Sequence, residues 1–125
     1  MTKALNPKSI STPPFLSQGI EITAPSRFVF VSGQVGAGPQ GPGKDIGEQT
    51  TLAIANLNAV LAEGGMTNAN IVKLTIYLTD EANLGGFMAA GGGALPVPPP
   101  ATTLLIVKAL ADPSLLIEIE AIAAA

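Results

Sequence analysis

The sequence predicts an α+β fold of order ββαβαββ, in which two helices cover one face of a mixed sheet. Three observations predict it: apolar and polar residues alternate over 71–78 and 115–123, apolar residues recur at three- and four-residue spacing over 53–61, and glycine- and proline-rich breaks separate these stretches. With 125 residues the chain fits one domain, 1–125, and a domain of that size buries roughly two thirds of its unfolded surface.

Taken in order, Gly19 to Gln34 reads as a hairpin. Ile20-Glu21-Ile22-Thr23 alternates, Ala24-Pro25-Ser26 supplies a turn, and Arg27-Phe28-Val29-Phe30-Val31 is β-branched and aromatic. Gly36 to Gly43, with glycine or proline at nearly every second position, reads as a loop. Asp45 and Glu48 have the spacing of a capping box, so a helix starts there. Its buried face is Ala53, Ile54, Leu57, Val60 and Leu61, and Gly64-Gly65 ends it. Val72, Leu74, Ile76 and Leu78 form the apolar face of the next strand. Thr79 or Asp80 caps a second helix, weakened by Gly85, Gly86 and the run Gly91-Gly92-Gly93, that frays before Pro96. After the prolines at 96–100, Thr102–Leu110 and Leu115–Ala123 read as two strands joined by Ala111-Asp112-Pro113-Ser114. Two helices on one sheet leave the other sheet face bare and apolar, and covering it requires an oligomer.

Composition narrows the chemistry. Apolar residues make up 47% and charged residues 12% of the chain, which also favours association. Without cysteine or histidine there is no disulfide, thiol nucleophile, histidine-based triad or thiolate or imidazole metal site, so no metal or cofactor is expected. Lys3, Lys8, Arg27, Lys44, Lys73 and Lys108 do not cluster, and Tyr77 is the single tyrosine, which argues against nucleic acid as a partner. No apolar stretch is long enough to span a membrane and Met1 to Pro7 has no signal core, so the expected location is cytoplasmic.

Few residues are left to carry chemistry. Glu118 and Glu120 fall on one side of the last strand. Periodicity leaves two readings open: solvated rim charges, or a desolvated carboxylate that handles protons for an attacking water. Ser32-Gly33 ends a strand with a hydroxyl and with a residue that lets backbone approach a ligand closely. The segment lacks the lysine and hydroxyl spacing of a phosphate loop. Asn83, Lys73 and Tyr77 read as a cap, a snorkelling strand lysine and a core-edge ring, and Arg27 as a surface residue beside the hairpin turn.

Four segments together resemble the Rid (YjgF, RidA-like, L-PSP endoribonuclease-like) family. They are Val31-Ser32-Gly33-Gln34, the helix start Asp45-Ile46-Gly47-Glu48-Gln49-Thr50, the strand Ile71-Val72-Lys73-Leu74-Thr75-Ile76-Tyr77-Leu78-Thr79-Asp80, and Ile117-Glu118-Ile119-Glu120-Ala121-Ile122-Ala123. The resemblance covers nearly the whole chain and implies a chorismate-mutase-like fold and a homotrimer around a central barrel, with small-molecule clefts between subunits. It also implies a cofactor-free imine deaminase, hydrolysing 2-iminoacids to 2-ketoacids and ammonia. An arginine would clamp the substrate carboxylate, and a glutamate of the last strand would position or activate water. That glutamate corresponds to Glu118, and the strand-end pair to Ser32 and Gly33. The arginine position, after Pro100-Ala101, is Thr102; the family tyrosine falls on Leu16, or Phe15 with a gap, and the family asparagine on Met88.

Without the arginine, the resemblance implies weak or absent activity on ordinary 2-iminoacids and a more apolar pocket, in which Thr102 and Thr103 donate hydrogen bonds to a carbonyl or amide. Three functions remain in competition: an imine or enamine deaminase of altered specificity, a non-catalytic small-molecule-binding or regulatory trimer, and the ribonuclease or translation-inhibitor activity of some relatives, against which the scattered basic residues speak.

Overall fold

A computed structural model describes residues 2–92 and 96–125. Its elements are β1 (Thr2–Leu5), β2 (Gly19–Ile22), β3 (Phe28–Val35), β4 (Ala37–Gly38), β5 (Gly41–Pro42), α1 (Ile46–Glu63), β6 (Ile71–Leu78), α2 (Leu84–Gly91), β7 (Ala101–Ile106) and β8 (Ile117–Ala124). The central sheet has the order β3-β8-β6-β7. β8 runs antiparallel to both neighbours, while β6 and β7 are parallel, so the sheet is mixed.

One face of this sheet is the core. Val31, Leu74, Ile76, Leu78, Ile117, Ile119 and Ala121 are buried there against Ala53, Leu57 and Leu61 of α1 and Phe87 of α2. Both helices therefore lie on the same side, as the alternation of β6 and β8 requires. No helix among the described residues is long and apolar enough to cross a membrane.

Helix α1 begins as its sequence directs: Asp45 Oδ1 accepts from Glu48 N–H at 2.8 Å. The Glu48 carboxylate does not complete the box and lies 4.0 Å from Lys44 Nζ instead. The helix ends at Gly64-Gly65, where Gly65 takes φ +69°. Arg27, expected on the surface, donates to the carbonyls of Gly64 and Gly65 and so satisfies acceptors at this helix end. Val60, expected on the buried face, is exposed. In the second helix Asp80, rather than Thr79, caps an initial 3-10 turn at Glu81–Asn83, accepting from Ala82 N–H at 2.9 Å. Asn83 makes no side-chain cap bond. The expected fraying from Gly93 toward Pro96 lies outside the described residues.

Three other expectations need correction. β2 pairs with β1, residue for residue from Thr2↔Ile22 to Leu5↔Gly19, and not with β3. The chain leaves the small sheet through Ala24 at φ +49° and enters β3 with Ser26 and Arg27 N–H both bonded to Ala125 O, which binds β3 to the end of β8. The glycine-rich segment 36–43 contains a miniature ladder, Ala37↔Pro42 and Gly38↔Gly41. The second sheet face is not uniformly apolar: Phe28, Phe30 and Leu105 share it with Lys73, Thr75, Tyr77, Thr103, Glu118 and Glu120.

Gln49 joins the segments that carry these elements. It is 1% exposed, and its Nε2 donates to Gly43 O and Ser114 O, both at 2.9 Å, while its Oε1 accepts from Leu116 N–H at 2.8 Å. Gly36 lies against it so closely that a methyl there would overlap the Gln49 side chain. The glycine loop, the first turn of α1 and the entry to β8 thus meet on one amide. Gln49→Ala leaves three backbone groups without partners and is expected to cost about 2–4 kcal/mol in urea-unfolding stability; a loss under about 0.5 kcal/mol would contradict this account of the residue.

Candidate functional site

The residues singled out above separate into two groups on opposite faces of the sheet. The first forms where β3 meets β8. Their pairing runs regularly from Phe28↔Ala124 to Val31↔Ala121 and resumes at Gln34↔Ile119, so Ser32 and Gly33 occupy a bulge. The half-buried Glu118 side chain lies directly over Gly33, where a Cβ atom would overlap the carboxylate. A side chain at 33 would push the Glu118 carboxylate aside, so glycine there keeps backbone and carboxylate in contact. Ser32 is exposed beside them, and its carbonyl accepts from Gln34 Nε2 at 3.1 Å.

Glu120, two residues along β8, points to the same face and is held differently. Its carboxylate accepts from the Tyr77 hydroxyl. That hydrogen bond, with burial and the charges of Glu120 and Glu118, raises the pKa of the phenol above its ordinary value, so Tyr77 stays protonated and bonded to Glu120. Glu118 lies across from Tyr77 in the strand register but receives no such bond from it. The two carboxylates therefore differ: Glu120 is anchored by a phenol, and Glu118 rests on glycine backbone.

Lys73 is the cation of this face among the described residues. Its Nζ donates to Thr103 Oγ1 at 2.9 Å, which leaves the Thr103 hydroxyl proton to donate elsewhere. A depression of about 420 Å³ runs between Phe30, Ser32, Lys73, Thr75 and Glu120.

The second group lies on the helix side, near the edge strand β7. Leu16, Met88 and Thr102 line one cavity of about 120 Å³, walled further by Phe15, Leu74, Phe87 and Leu104. The Thr102 hydroxyl donates to Pro100 O at 3.0 Å. In this arrangement its proton is engaged with its own chain. Ser17, 2% exposed, fixes the segment carrying Phe15 and Leu16 by donating to Pro99 O at 2.6 Å and pairing with Ala101. Thr102 and Thr103, adjacent in sequence, face opposite sides of the sheet.

Tyr77, Lys73 and the Ser17 anchor were set aside or missed in the sequence. The alternation of Lys73, Thr75 and Tyr77 against Leu74, Ile76 and Leu78 already placed the first two opposite the core. Only the register of β6 on β8 places Tyr77 within reach of Glu120. Among the described residues no group of three acidic, cysteine or histidine side chains is arranged to hold a metal ion.

The sequence profile of the family described as endoribonuclease L-PSP matches residues 10–125. A RutC family protein of Aquifex aeolicus is 42% identical over 67 residues, 51% of this chain and 50% of that protein. The putative reactive intermediate deaminase TdcF of Escherichia coli is 32% identical over 66 residues, 50% of this chain and 48% of that protein. The chain spans about half the length of the curated relatives it matches. Among solved structures, the Rid-family protein YyfB of Yersinia pestis superposes with a TM-score of 0.83 at 34% identity, covering 99% of this chain and 98% of that one. From the bulge at Ser32-Gly33 to the paired glutamates of β8, this chain belongs to the Rid/YjgF family.

Proposed function

We propose that the chain is a cofactor-free imine or enamine deaminase of altered specificity, working in clefts between the copies of a homotrimer. The observation that carries this reading is the Glu118 carboxylate, half-buried and seated on Gly33, with no cation among the described residues paired to it. TdcF, which matches half of the chain, is named as a putative reactive intermediate deaminase, and that supports the same reaction class.

The chemistry needs one proton carrier. Glu118 takes a proton from water as the oxygen adds to the imine carbon and the C=N π pair moves to nitrogen, and the same carboxyl hands that proton to nitrogen, giving a carbinolamine. Glu118 then takes the carbinolamine hydroxyl proton and delivers it to nitrogen as the C=O bond forms and the C–N bond breaks, so that a carbonyl compound and ammonia leave. Water and imine together supply every atom of the products. Glu120, whose carboxylate accepts from the Tyr77 hydroxyl, is engaged within the face and does not compete for the water.

The two groups of residues lie on opposite faces of one sheet, so a single copy does not bring them together. In a closed ring, the Glu118 face of one copy meets the Thr102 and Met88 edge of the next, and each cleft draws on both. Because Thr102 replaces a carboxylate-clamping arginine, the substrates expected to bind best lack a carboxylate. A non-catalytic binding trimer is the alternative that the following measurements separate.

Ammonia release is measured with freshly generated imines, both carboxylated and neutral. Wild type is expected to accelerate hydrolysis of neutral imines, and Glu118→Gln to reduce that acceleration by about 10²-fold or more; a folded wild-type protein no faster than buffer on the whole panel would sink the deaminase reading. Thr102→Arg is expected to shift the ratio of kcat/KM toward carboxylated imines by about tenfold or more, the equivalent of one charge-assisted hydrogen bond. An unchanged ratio would place the carboxylate elsewhere.

A further inference from the structure

We infer that the cavity between α2 and β7 receives an uncharged hydrocarbon group of the substrate, a single aromatic ring or a branched chain of similar size. This deepens the reading above by naming the substrate class of the same site, and it rests on that reading for the reaction but not for the binding.

Size is the first argument. The cavity measures about 120 Å³. An engineered cavity of roughly 150 Å³ lined by Leu, Ile and Phe stays dry and binds benzene. One ring or a comparable aliphatic group therefore approaches the limit of this space, and a fused pair of rings exceeds it.

The walls are the second argument. Leu16, Leu74, Ile76, Phe87, Met88 and Leu104 are among the lining residues, and among the described residues no Lys, Arg, Asp or Glu contributes to it. A carboxylate or ammonium placed here would lose its water and gain no ionic partner. The Thr102 hydroxyl is bonded to Pro100 O. The recognition offered is therefore burial of apolar surface.

The mouth and the adaptable wall are the third. Exposed Phe15, Asn58 and Gly92 belong to the lining, so the cavity reaches the surface. Gly91 contributes no side chain, although a methyl there would make only ordinary contacts, 3.5 Å to Thr50 Cγ2 and 3.6 Å to Ile54 Cδ1. Its neighbours therefore do not require glycine there. Met88, unbranched and flexible, can adjust to the shape of a guest. The imines that fit best are consequently neutral ones bearing a benzyl-, phenyl- or isobutyl-like group.

The test is binding without turnover. Toluene, benzoate, benzylammonium and naphthalene are titrated against intact wild type, Glu118→Gln, Leu104→Phe and Met88→Ala, with the methionine and leucine methyl NMR signals and the melting temperature as readouts. Toluene is expected to shift the Met88 methyl signal and raise the melting temperature in wild type and Glu118→Gln alike, while benzoate and benzylammonium leave both unchanged. Leu104→Phe, which fills the space, is expected to weaken toluene binding at least tenfold. Should that variant not fold, Met88→Ala decides: enlarging the cavity is expected to turn naphthalene from a non-binder into a binder.

Absence of toluene binding to wild type, equal binding of benzoate, or indifference to both cavity variants would overturn the inference. Its failure is distinct from that of the deaminase reading. Toluene binding with no turnover of any imine sinks the reaction and keeps the pocket, whereas Glu118-dependent turnover without toluene binding does the reverse.

Discussion

Strand β8 hydrogen-bonds on one side to β3 and on the other to β6, and this double pairing constrains everything around it. Ile117, Ile119, Ala121 and Ala123 must face the helices because they fill the core, which commits Glu118, Glu120 and Ile122 to the other face. A slip of one residue would bury two carboxylates and expose four apolar side chains. Core packing and the position of the candidate base are thus fixed by one register, reinforced where Gln49 ties the entry to β8 to the first turn of α1.

The same constraint explains why the two glutamates differ. β6 presents Tyr77 to Glu120, so that carboxylate is bonded within the face. β3 presents a bulge and a glycine to Glu118, which leaves the carboxylate against backbone where a side chain would collide. On the other side of the sheet, Leu16, Met88 and Thr102 converge on an apolar cavity.

Much of this was legible from local sequence. The alternation of β6 and β8, the Asp45 cap and the Gly64-Gly65 stop each depend on neighbours within a few residues, and each appears where the sequence places it. What was misjudged depends on partners far along the chain. The alternation at Ile20–Thr23 signals a strand but cannot say that Thr2–Leu5, rather than Phe28–Val31, pairs with it. Arg27 is exposed beside its turn as the sequence places it, and only its bonds to the end of α1 depend on the packing of α1 against β3. The strand period separates Thr102 from Thr103 by face, but that Thr102 donates to Pro100 O while Thr103 accepts from Lys73 is a matter of tertiary placement.

The central claim is that a complete site forms only where the Glu118 face of one copy meets the cavity edge of another. Glu118→Gln and Leu104→Phe chains, each expected to lose most activity on an imine bearing a benzyl-like group, can be unfolded together, refolded as a mixture and assayed for hydrolysis of that imine. The account predicts recovery to about a quarter of wild-type activity in an equal mixture, because that share of contacts in a randomly assembled head-to-tail ring joins two intact halves. Mixed oligomers that form but stay as inactive as either parent would contradict it.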